Sequence, residues 1–177
     1  ETDYSCNGLL SASDWIIENI LPGLENGDTI TVATNYGSAT NEYFRNHTDQ
    51  VDVLYTRYYE KSREKWDYAV YYCAYISVNQ LKEDLWPPKG TIHIETVDGF
   101  PISAVVKRIS LEDYIGFQAL KKNKPDQARK HFKTYLESNP KSEEVLEGLA
   151  RTFLMERKFD STIIYSEQSI KYNPRQL

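Results

Sequence analysis

The chain has 177 residues, 40% hydrophobic and 27% charged, with a formal net charge of −5, a balance that fits a folded globular protein and excludes a disordered one. The charge is uneven, −7 over residues 1–108 and +2 over 109–177, and neither half carries the basic footprint that nucleic acid requires. No run approaches the roughly eighteen apolar residues of a membrane span, and Glu1-Thr2-Asp3 is no basic, apolar leader, so neither a span nor a signal peptide is expected.

In chain order, Ser11 to Asp14 has the spacing of a capping box and predicts a helix over Trp15, Ile16, Ile17, Ile20 and Leu21, ending near Pro22-Gly23. Thr29 to Thr34 alternates and is β-branched, Tyr36 to about Asn46 suits a helix, and Val51 to Thr56 is a second strand; together they predict a βαβ unit with a parallel pair. Trp66 to Ile76 reads as a third, buried strand, followed by a short helix over Val78 to Leu85 and the breaker Pro87-Pro88-Lys89-Gly90. Thr91 to Val97 and Phe100 to Lys107 flank Asp98-Gly99, the signature of a two-residue hairpin turn. The expected fold of residues 1–108 is therefore α/β, a small, mostly parallel, Rossmann-like sheet ending in an antiparallel hairpin.

From Ser110 the apolar period becomes helical, with stripes through Tyr114, Phe117 and Leu120, through Ala128, Phe132, Tyr135 and Leu136, through Val145, Leu149, Phe153 and Leu154, and through Ile163, Ile164 and Ile170. Asn139-Pro140 and Asn173-Pro174 close successive helix pairs 34 residues apart. Gly116, Ala128, Phe132 and Pro140 in the first pair, and Leu149, Ala150, Phe153 and Pro174 in the second, fall at packing positions of a common frame, in which Thr162 and Ser166 depart from the usual Ala and aromatic. The pattern resembles tetratricopeptide repeats, which implies an all-α scaffold for protein–protein contact over 109–177, in units 109–142 and 143–176. Two such units are fewer than the about three that usually bury a continuous core. Either the first hairpin rests on the α/β part, or further repeats follow.

Chemistry-bearing patterns are sparse. Cys6 and Cys73 form no CxxC; Cys73 reads as a small buried hydrophobe in an apolar run, and a disulfide between the two stays open. His47, His93 and His131 have no partners at ligand spacing, so no metal is expected, and nucleotide or hydrolase motifs that would call for a cofactor or a catalytic residue are missing. Two candidate binding features remain. Asn35, Tyr36, Gly37 and Ser38 join the first strand to its helix, where open α/β sheets collect ligands; the plainer alternative is a helix cap on Ser38 or Thr40 with Gly37 easing a turn. Arg57, Tyr58 and Trp66 belong to a stretch mixing aromatics with charges, which suits carbohydrate, a protein surface, or a solvated loop packed on the sheet.

The run Asp52-Val-Leu-Tyr-Thr-Arg-Tyr-Tyr-Glu-Lys-Ser-Arg63, with Trp66-Asp-Tyr-Ala69 and Leu85-Trp-Pro-Pro-Lys-Gly-Thr-Ile-His93, resembles the soluble carboxyl-terminal part of bacterial membrane glycosyltransferases similar to protein O-mannosyltransferases. The resemblance implies an extracytoplasmic, periplasmic accessory domain whose sugar-transfer chemistry, from a lipid-linked donor, would reside in an upstream membrane region. It carries over no catalytic residue. A protein partner or envelope acceptor is then expected, with carbohydrate as a possible ligand. The alternatives are a free-standing periplasmic adaptor using the repeats, and a soluble carbohydrate or nucleotide-sugar binder using Asn35 to Thr40 with Arg57 and Trp66.

Overall fold

The computed structural model describes residues 7–174, so Cys6 and any pairing it makes lie outside the described residues. The chain divides into two compact units: one holds residues up to 58, 66–76 and 86–109, the other 59–65, 77–85 and 110 onward. Segments 59–65 and 77–85, which the sequence reading runs into the α/β part, are thus built into the helical unit.

The first unit is mixed α/β. Helix α1 (Asn7–Asn19) precedes β1 (Ile30–Thr34), α2 (Gly37–Tyr43), β2 (Val51–Tyr55), β3 (Tyr68–Tyr72), β4 (Thr91–Val97) and β5 (Phe100–Lys107). The sheet order is β2-β1-β3-β5-β4. β1 pairs parallel with β2 and β3, while β5 runs antiparallel to both β3 and β4. One face buries Leu9, Ala12, Ile16, Val32, Val70 and Val105; the other buries Ala33, Tyr58, Trp66, Tyr71, Trp86 and Val106. The hairpin forms where expected, with Asp98 and Gly99 both at positive φ, 51° and 78°, the backbone of a type I′ turn whose twist matches the strands.

Two boundaries differ from the sequence reading. α1 already includes Asn7, so Ser11 and Asp14 lie inside the helix and cap nothing; Leu9 and Ala12 extend the buried stripe one turn ahead of Trp15 and carry the helix with it. β3 stops at Tyr72 instead of continuing to Ile76, because the chain turns through Cys73–Tyr75. Cys73 is half-buried there.

The second unit contains α3 (Val78–Lys82), α4 (Glu112–Lys121), α5 (Pro125–Ser138), α6 (Glu143–Met155) and α7 (Phe159–Tyr172). Its two long hairpins recur at an interval of 34 positions from the end of their first helix onward, although α6 is three residues longer than α4 at its start. Asn123 and Arg157, 34 positions apart, take left-handed conformations, φ 56° and 59°, after α4 and α6. α5 and α7 begin at 125 and 159 and end at 138 and 172, the same interval. Phe132, fully buried, is the centre: a Cβ on Gly116 would come within 2.4 Å of its ring, and one on Gly148 within 2.7 Å. Both glycines therefore clear the space that one aromatic fills, with Phe117 edge-on to it at 4.9 Å between centroids. The last helix departs from its predicted stripe. Ile163 and Ile164 are 56% and 53% exposed, and Tyr165 packs on Phe153 instead. Leu154 is exposed as well.

Gly116→Ala and Gly148→Ala should each destabilise the helical unit by about 1–3 kcal/mol, since a methyl has no room beside a rigid ring. Urea unfolding followed by helical circular dichroism measures this, with Ala119→Gly, on the same helix as Gly116, as a propensity control.

Candidate functional site

The turn after β1 lies at the carboxyl ends of parallel strands, and its residues are occupied in holding those ends together. The Asn35 side chain is 4% exposed, donates to the Tyr72 carbonyl at 2.9 Å and accepts the Tyr72 N–H at 2.9 Å. It supplies β3 with the backbone partner that β1 no longer provides. Thr34 Oγ1 and Thr40 Oγ1 lie 2.9 Å apart, and Thr40 donates to the Tyr36 carbonyl. Tyr36 stacks on Tyr75 at 5.7 Å. Gly37 starts α2 against Tyr55, whose Cβ would lie 3.1 Å from a Cβ at that position, so the glycine serves close packing. Ser38 is exposed, and no side chain caps the helix.

The aromatic stretch separates. Tyr58 and Trp66, 4% and 7% exposed, pack edge-on against Tyr71 in the sheet core, and the Arg108 guanidinium covers Trp66 at 4.7 Å. Arg57 is exposed. Neither ring presents a free face for a sugar. His93 pairs with Glu95 and stacks on Trp15, and His131 pairs with Glu112. No group of three or more His, Cys, Asp or Glu residues able to hold a metal ion occurs among the described residues.

The helical unit holds the feature that the sequence did not show. A cleft of about 450 Å³ runs between α4 and α6, lined by Phe117, Leu120 and Lys121 from the first helix, Arg151, Leu154 and Met155 from the second, and Arg63 from the turn Tyr58–Arg63. Leu154 and Met155, 53% and 43% exposed, leave much of its apolar wall open to solvent. Its polar groups are cationic. Arg63 and Arg151 share one carboxylate, Glu147, and Arg63 lies over the Phe117 ring at 5.4 Å. Lys121 makes no ion pair among the described residues, so the rim carries an excess of positive charge beside an apolar floor.

Behind the cleft, segment 59–65 is bound to α6 by buried polar groups. Lys61 Nζ donates to Glu144 Oε1 at 2.8 Å and to Glu143 Oε1 at 3.2 Å. The Ser62 amide donates to Glu144 Oε2 at 2.9 Å. Gln80, whose own side chain completes a capping box with Ser77, donates through Nε2 to Glu143 Oε1 at 2.8 Å. Burial pushes the Glu144 carboxyl up to about 7 against the pull of Lys61, and the neighbouring Glu143 adds to the rise. Burial and the charge of Asp113 push the Tyr135 hydroxyl up to about 12, so it stays neutral, and it accepts from Asn139 Nδ2 at 3.4 Å.

No family model, no curated protein and no solved structure matches this chain. No helix of the described residues is long and apolar enough to cross a membrane.

Asn35→Ala should destabilise the α/β unit by about 2–5 kcal/mol, because it strands both the N–H and the C=O of Tyr72 in a buried position. Chemical denaturation of the variant, followed by tryptophan fluorescence from Trp66 and Trp86, checks this.

Proposed function

We propose that the chain is a non-catalytic interaction module whose tetratricopeptide-like helical unit binds an extended, acidic and aliphatic protein segment in the α4–α6 cleft. The observation that carries this reading is the cleft itself, an open apolar floor of Phe117, Leu120, Leu154 and Met155 beneath Lys121, Arg151 and Arg63. Apolar side chains of a partner would leave water on that floor at roughly 25 cal/mol per Å², and carboxylates would form charge-assisted bonds with the guanidinium and ammonium groups. Support for the repeat reading comes from the 34-position recurrence of turns and helix ends, and from the Gly116–Phe132 packing in the first hairpin.

The wider setting is an extracytoplasmic accessory part of a membrane glycosyltransferase similar to protein O-mannosyltransferases. It rests on the resemblance carried by residues 52–63, 66–69 and 85–93. Within that setting the partner would be an envelope protein or acceptor. The buried positions of Tyr58 and Trp66 favour protein over carbohydrate as the ligand, because stacking on a sugar needs an exposed ring face.

Fluorescence anisotropy with a labelled octapeptide of alternating glutamate and leucine tests the reading. Binding should exceed that of the lysine–leucine and glutamate–serine counterparts and weaken with salt. Lys121→Glu and Arg151→Glu should each lower affinity about tenfold, equivalent to about 1.4 kcal/mol. Equal binding of the lysine–leucine peptide, or none of the glutamate–leucine peptide, would overturn it.

A further inference from the structure

The sheet of the α/β unit ends in an open edge. β4 has β5 on one side and no strand on the other among the described residues, and none of its seven residues is buried. Natural edge strands are commonly guarded by Pro, by Lys or by shortness, because their free backbone groups pair readily with another chain. Thr91–Val97 contains no Pro, Lys or Arg. Its outer face is apolar: Ile92 and Ile94 are 42% and 40% exposed, and Ile94 lies directly opposite the buried Ala104 of β5.

We infer that β4 is the contact of a symmetric homodimer, in which it pairs antiparallel with β4 of a second copy about a two-fold axis through Ile94. The strand is its own complement in this register. It overlaps along its whole length, with Ile94 opposite Ile94, Ile92 opposite Thr96, Thr91 opposite Val97, and His93 opposite Glu95 on both sides of the axis. An imidazole and a carboxylate directly opposite one another attract, whereas two like groups repel. Moving the axis one residue, to His93 or to Glu95, would set imidazole against imidazole or carboxylate against carboxylate.

The local structure favours the Ile94 register. His93 Nε2 and Glu95 Oε1 lie 2.7 Å apart on one face of the strand, and Trp15 of α1 stacks on the imidazole at 4.9 Å between centroids. The second imidazole nitrogen and the second carboxylate oxygen have no partner among the described residues, which leaves them to form charge-assisted bonds across the axis. On the opposite face the isoleucines of both copies would leave water together. Register shifts against β5 fall between Thr91 and His93 and between Glu95 and Thr96, so the three residues that carry the match form the regular centre of the strand. The other edge, β2, lacks this property, because an axis through Val53 would set Asp52 opposite Leu54. A ladder this short buries little area, so the dimer is weak and depends on concentration. It lies in the α/β unit and stands whether or not the α4–α6 cleft binds a peptide.

Sedimentation equilibrium of the whole chain, from micromolar to millimolar concentration, tests this, with circular dichroism to check the fold of each variant. The wild-type chain should pass from monomer to dimer and no further, as a closed two-fold contact requires. Ile94→Asp, which sets two carboxylates face to face on the axis, should leave a monomer throughout. His93→Glu should raise the dissociation constant about tenfold or more, since both opposed pairs become carboxylate pairs. Combining it with Glu95→His restores the opposed pairs and should return the constant to within about threefold of wild type, which decides the matter if Ile94→Asp does not fold. Ile163→Asp, on the exposed apolar side of α7, should leave the dimer unchanged. A chain that is monomeric at every concentration, a dimer that persists in Ile94→Asp or is lost in Ile163→Asp, or a double exchange that recovers nothing would overturn the β4 contact.

Discussion

The helical unit depends on a carboxylate with no access to water. Glu144 meets Lys61 and the Ser62 amide, and through its neighbour Glu143 the same turn of α6 reaches Gln80. Two stretches far away in the chain are joined to α6 this way. A buried ion pair gives little net stability, because desolvation offsets most of the attraction, but removal of one partner leaves the other stranded. The arrangement therefore acts mainly on specificity: it dictates which segments dock on α6 and in which register. It also answers how two helical hairpins make a compact body. Segments 59–65 and 77–85 belong to the same compact unit and supply hydrogen-bonding partners for α6.

The same physical solution operates in the α/β unit on a smaller scale. Asn35 gives Tyr72 both members of a backbone pair, as Glu144 accepts the otherwise unmatched Ser62 amide. In each case a side chain from a regular element satisfies backbone at the edge of an irregular one, which buried polar groups require. There the Asn35 amide ties the end of β1 to β3, and the rings of Tyr36 and Tyr75 stack on one another.

What was legible in the sequence is what local patterns encode. Asp98-Gly99 specified the hairpin of β4 and β5, β-branched alternation located β1, and the helical stripes with their 34-residue echo marked four helices whose C-terminal ends recur at the same interval. The βαβ unit appeared with the parallel pairing its crossover demands. The misread points have non-local causes. Ser11 and Asp14 have cap spacing, yet tertiary burial of Leu9 and Ala12 overrides it. Trp66 and Tyr58 look like a recognition surface in a charge-rich stretch, but their rings complete a core built from residues of β1, β3 and β5 together with Ile76 and Trp86. The capping box at Ser77 was readable from Gln80 three positions on, and Gly148 from its place opposite the Phe132 ring only in three dimensions. Nothing local announces that Lys61 will find Glu144, because the pairing spans more than eighty positions.

The charge of the cleft follows from that long-range pairing. Considered alone, α6 presents Glu143, Glu144 and Glu147 and would be an acidic helix. Lys61 neutralises part of this in the interior, and Glu147 is shared by Arg63 and Arg151, so the negative charge of the helix is matched by these cations while Lys121 on α4 remains over the floor. An intrinsically acidic element thus comes to border a cationic groove. Arg63 of segment 59–65 is also the side chain that covers the Phe117 ring.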